Sequence, residues 1–225
     1  MTSTQRPKND LAWFVLWCAL LGVITYHMVW QTHKVAAFNS NAFDLAEWVS
    51  LHPTVRAESP ALFTPLLLRL PIILLAGMVA VASSVLQAEK AKWLWRGVAL
   101  LVVLRLNPPT DFYPWGGGSP NDQQLGRLSG LGLAVVLMLI IGGRWLQYFW
   151  KPATLILLIA SLITALEGYN RAQKVLDSIQ IETGIGGGLV LYVAFLLFAG
   201  VAILASWLQS RRNKKRAYLF PDTPS

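Results

Sequence analysis

The chain has 225 residues, 55% of them hydrophobic and 13% charged, with ten tryptophans, one cysteine and a formal net charge of +8. An average soluble domain is about 25% charged, so this composition excludes a disordered chain, a collagen-like repeat and a disulfide scaffold, and argues against a water-soluble globule. Several apolar runs approach the length of a bilayer span, which points to an all-α, polytopic integral membrane helix bundle.

Six spans are expected, at about 11–30, 61–86, 93–106, 128–150, 153–168 and 187–208, forming a single helical domain over 1–208 with a basic tail at 209–225. The first, Leu11 to Trp30, holds twenty residues without Asp, Glu, Lys or Arg. At 1.5 Å per residue it covers about 30 Å, the hydrocarbon thickness of a bilayer. The apolar region of a secretory signal is shorter, about 7–15 residues, so an uncleaved helix is the reading here. Cys18 lies within it and is expected to be a small apolar filler. The third run is the short one, reaching only about 21 Å. None of the runs shows the two-residue alternation of barrel strands. In lipid the backbone must then satisfy itself as helix.

The basic residues support this count, because cytoplasmic loops accumulate Lys and Arg. Six crossings with both termini cytoplasmic place twelve Lys and Arg inside and five outside, leaving Arg69 and Arg105 within spans. Treating the third run as re-entrant gives nine against eight, a much poorer separation. The expected location is the plasma membrane. The tail Arg211-Arg212-Asn213-Lys214-Lys215-Arg216 reads first as an orientation signal and second as a contact for anionic head groups.

The long connections fall on the outer side. In the first, Asn41-Ala42-Phe43-Asp44 carries a capping signal, and apolar Phe43, Leu45, Ala46, Trp48 and Val49 oppose Asp44, Glu47 and Ser50. An amphipathic helix ending near His52-Pro53 is expected there, lying in the head-group layer or roofing the bundle. The third connection, 107–126, holds the Pro- and Gly-rich run from Asn107 to Pro120 with Phe112, Tyr113 and Trp115, which reads as either a lid or an interfacial anchor. The fifth has Ala172, Val175, Leu176 and Ile179 at helical spacing, so the fifth helix is expected to continue out of the bilayer, or to bend back along it, before the glycines at 184–188 break it.

Ionisable groups inside a span are costly and are candidate functional residues by default. Topology puts Arg69, Arg105, His27, Glu167 and Asp111 at similar depth on the outer side. Together they suit three uses: arginines gripping a carboxylate or phosphate, an acid–base pair of His27 with Glu167 or Asp111, or structural ion pairs such as Arg69–Glu167 and Arg105–Asp111. His27, His33 and His52 form no metal motif, and there is no cysteine pair. The Gly184–Gly188 amides are suited either to an anion or, more simply, to close packing. No cofactor is assigned and no base-reading element is visible, so nucleic acid is not an expected partner. The expected partners are the lipid bilayer, other membrane-protein subunits and an anionic small molecule. Two functions follow as expectations. One is a non-catalytic solute-binding or structural subunit of a transport or energy-transducing assembly. The other is a membrane-embedded enzyme acting on a lipid-linked or anionic substrate at the outer leaflet.

Overall fold

The computed structural model describes residues 6–33, 39–108 and 118–219. In chain order the elements are α1 (Arg6–Tyr26), β1 (Gln31–His33), β2 (Asn39–Ser40), α2 (Ala42–Ser50), α3 (Pro53–Arg56), α4 (Phe63–Ser83), α5 (Glu89–Leu104), α6 (Pro120–Ile141), α7 (Gly143–Ser178), β3 (Thr183–Ile185) and α8 (Gly187–Leu219). The protein is an all-α membrane bundle: α1, α4, α6, α7 and α8 are each long and apolar enough to cross a bilayer. The short third run is α5, whose 16 residues reach about 24 Å.

Helix directions alternate. The end of α1 meets the start of α8, where the Gly186 and Gly188 amides donate to the Trp30 and Val29 carbonyls, both at 2.7 Å. At the opposite end Arg96, early in α5, lies against Gly143 at the start of α7, and Lys151 Nζ donates to Ser206 Oγ at 2.8 Å. Among the described residues α1, α4, α5, α6, α7 and α8 therefore run alternately between the two ends, five of them long and apolar enough to cross a bilayer, and α1 begins where α8 finishes. That end carries Arg96, Arg144 and Lys151 and is called the basic end here; the other is the sheet end.

At the sheet end β1 pairs antiparallel with both β2 and β3, in the order β2-β1-β3. This small sheet ties the first and fifth connections together and was not legible in the sequence. Gln31 on β1 donates to Gln173 Oε1 at 2.9 Å and Thr183 Oγ1 at 2.7 Å, which fixes α7 to the sheet.

α4 is the central helix, with 78% of its span buried against 28–44% for the others. It packs against α1, α2, α5, α6 and α7, as expected of a helix that is apolar on all sides. Gly168 lets α7 approach closely: a Cβ there would sit 2.9 Å from the Leu68 amide nitrogen.

α2 forms where the capping signal places it. Asn41 Oδ1 accepts from the Asp44 amide at 2.9 Å, and Ala42, Leu45, Ala46 and Val49 are buried. The helix lies over the start of α4 and beside α7, so it roofs the bundle. Several boundaries differ from expectation: α1 ends at Tyr26 rather than near 30, and α8 runs on to Leu219 rather than stopping near 208. α6 begins at Pro120 rather than near 128, because Ser119 and Asp122 form a reciprocal capping box with Pro120 in the first turn. The break before the next helix falls at Gly142-Gly143, while α7 runs unbroken through Pro152. Glycine is a poor helix former and two stand together at the break, whereas a single proline is tolerated in membrane helices where neighbouring groups satisfy the freed backbone. α7 continues beyond the expected span to Ser178; its 36 residues span about 54 Å, more than the hydrocarbon thickness of a bilayer.

Candidate functional site

Arg69 sits two turns into α4 and is fully buried. Its Nη1 donates to Gln124 Oε1 at 2.7 Å, and its Nη2 donates to Glu47 Oε1 and Asn121 Oδ1, each at 2.6 Å. Asn121 Nδ2 closes the ring by donating to Glu47 Oε2 at 2.6 Å. Gln124 Nε2 donates to the Leu62 carbonyl at 3.0 Å, just before α4 begins. The planar guanidinium thus joins three helices: α2 through Glu47, its own α4, and the first turns of α6 through Asn121 and Gln124, three residues apart on one face. Arg69 Nε alone has no partner.

This knot corrects the expected Arg69–Glu167 pair. The carboxylate that meets Arg69 is Glu47, while Glu167 pairs with Arg171 one turn further along α7 at 2.7 Å, both side chains being exposed. Arg171 in turn lies over the Phe63 ring at 5.0 Å. Glu47, Asn121 and Gln124 are the residues that sequence reasoning missed. The Ser119-Pro120-Asn121-Asp122 capping signal would have found the helix that presents the last two.

Arg105 and His27 do come together, away from the Arg69 knot. Arg105 caps the C-terminus of α5, where positive charge is favoured. Its guanidinium lies 5.0 Å from the centroid of the Phe43 ring of α2. His27 follows α1, edge-on to Tyr26 at 5.2 Å. The two line a groove of about 490 Å³ whose walls include Val23 of α1, Ile72 of α4, and Val98 and Val102 of α5. Burial pushes the His27 imidazole below its ordinary pKa, the Arg105 charge pushes it further down, and Asp44 opposes both.

Asp111, the fifth expected residue, lies outside the described residues, as do Phe112, Tyr113 and Trp115. The expected single pocket thus divides into a neutralised knot at Arg69, a separate groove at Arg105 and His27, and an exposed ion pair at Glu167. Among the described residues no group of three or more His, Cys, Asp or Glu could hold a metal ion. Of the glycines at 184–188, Gly186 and Gly188 serve close packing: a Cβ on either would meet the Val29 carbonyl, and their amides go to backbone carbonyls.

Other buried polar contacts also lie between helices, among them Tyr26 Oη donating to the Leu68 carbonyl at 2.9 Å. Tyr192 Oη and Ser161 Oγ are 2.6 Å apart, under a tilted contact of Tyr192 with Trp30. It links α7 to α8 and leaves no polar atom of the pair facing a cavity.

No protein-family model, curated protein or solved structure matches this chain.

Proposed function

We propose that this chain is a non-catalytic structural subunit of a membrane assembly, of the transport or energy-transducing kind, set in the plasma membrane with both termini cytoplasmic. The observation that carries this reading is the Arg69 knot. The one fully buried charge among the described residues is consumed by Glu47, Asn121 and Gln124 in joining α2, α4 and α6. A buried arginine kept for a solute would have its fork free; this one is spent on architecture. The enzyme alternative needs a carboxylate or histidine within reach of a cavity; Glu167 is instead paired on the exposed side of α7, and His27, which does line a groove with Arg105, has no carboxylate among the groove's lining residues.

A second feature supports a subunit role. On α6, Gly126 and Gly130 stand four apart and border an open groove of about 410 Å³ with Arg127 and Leu131. Small residues at this spacing allow close approach of another membrane helix. The cytoplasmic placement of the basic end rests on the clustering of Arg96, Arg144, Lys151 and the basic tail there.

The test is purification of the tagged full-length chain in mild detergent, with mass spectrometry of what accompanies it. A stoichiometric membrane polypeptide that is lost in Gly130→Leu and retained in Gly97→Leu is the expected result. Gly97 has nothing within 4 Å of its Cβ position, so it serves as a control. A monodisperse chain without a partner, or one whose partner ignores Gly130→Leu, overturns the proposal.

A further inference from the structure

The groove between α1, α4 and α5 has a chemical asymmetry. Its walls are aliphatic, from Val23, Ile72 and Val98, while its rim at the sheet end holds Arg105 and His27. From Val98 to Arg105 the groove runs roughly 10 Å along α5, at 1.5 Å per residue. Its volume of about 490 Å³ lies within the range of small-molecule sites. Arg105 is exposed, and among the described residues no carboxylate lies within ion-pair distance of it. The guanidinium carbon of Arg105 lies over the Phe43 ring, 5.0 Å from its centroid. With no carboxylate partner among the described residues, the guanidinium keeps its N–H donors available to another anion. Such donors can grip two oxygens of a phosphate at once.

We propose that this groove is a binding site for one acidic phospholipid. An acyl chain lies along Val23, Ile72 and Val98, and the phosphodiester sits at the rim on Arg105. His27 supplies a hydrogen-bonding edge beside it. The cation stands where α5 ends, at the level where a lipid head group meets water. A site of this kind requires both features together: a soluble phosphate gains nothing from the aliphatic walls, and a zwitterionic lipid brings beside its phosphodiester a quaternary ammonium that the arginine repels, so its net attraction is weaker. The inference stands on the groove alone and is independent of the subunit reading.

The experiment is lipid titration of the purified full-length chain in neutral detergent, with bound lipid counted by native mass spectrometry. Phosphatidylglycerol is expected to bind at least tenfold more tightly than phosphatidylcholine. Arg105→Gln brings the two to parity, and Val98→Trp, which fills the groove, weakens both. Glycerol phosphate at the same concentration leaves bound phosphatidylglycerol in place. Equal binding of the two lipids by the unaltered chain overturns the proposal without recourse to any variant. So does a preference that survives Arg105→Gln, or displacement by glycerol phosphate.

Discussion

The Arg69–Glu47 contact can be measured against a built-in reference. Three ion pairs are formed among the described residues: Arg69–Glu47, Lys92–Glu89 and Arg171–Glu167. Only the first has a fully buried member; its Glu47 side chain is 36% exposed. Two unit charges about 4 Å apart are worth about 4 kcal/mol at an effective dielectric of 20. Water reaching one side of Glu47 reduces this by about half, to about 2 kcal/mol. The Arg171–Glu167 pair is exposed on both sides and is worth about 0.3–0.5 kcal/mol as an i,i+4 helix pair. A double-mutant cycle with Glu47→Gln and Arg69→Met should therefore give a coupling of about 2 kcal/mol. The parallel cycle with Glu167→Gln and Arg171→Met should give a coupling several times smaller. Reversible unfolding in mixed micelles, followed by tryptophan fluorescence, is a suitable assay. Glu47→Gln alone should be the costlier single change, because it strands a buried guanidinium charge. If the two cycles return the same coupling, the knot is not an electrostatic joint and the reasoning fails.

Other consequences are open to the same assay. Gly186→Ala should destabilise by about 1–3 kcal/mol, since its Cβ would fall 2.3 Å from the Val29 carbonyl oxygen, whereas Gly187→Ala meets nothing within 4 Å and should be nearly neutral. Ser161→Ala leaves the buried Tyr192 hydroxyl without its partner and should cost about 1–3 kcal/mol; adding Tyr192→Phe should recover part of that loss. Because the folded state holds the His27 pKa below its ordinary value of 6.5, the unfolded chain takes up this proton first on acidification. Stability should then fall as pH drops through about 6.5 and level off below the folded pKa. That pH-dependent loss should shrink in His27→Gln, and identical pH profiles for the two proteins would remove His27 as its source.

What could be read in advance follows the range of the physics. The apolar runs and the α2 cap are local signals. Asn41 meets Asp44 three residues away, and the helix formed where those residues dictate. Continuation of α7 beyond the expected span was legible for the same reason, in the spacing of Ala172 and Leu176, both buried. The partner of Arg69 was not legible. Glu47 falls with Asp44 on the polar side of α2, and only the docking of α2 across α4 turns that side partly inward. Ser50, on the same side, is buried too. Equal depth of Arg69 and Glu167 gave no information about azimuth, and Glu167 found a nearer cation on its own helix. The small sheet depends on pairing Gln31 with Ile185 across most of the chain, which no local pattern announces.

The order of synthesis gives the knot one more consequence. Glu47 precedes Arg69 by 22 residues, while Asn121 and Gln124 follow it by 52 and 55. When the arginine leaves the ribosome, its carboxylate is already made, but its amide partners are not. On translocon-insertion scales an Arg costs about 2.5–3.5 kcal/mol at the centre of a span; Arg69 stands two turns into α4. Of the side chains that close the knot, Glu47 is the one already in the chain to offset that charge when α4 is made.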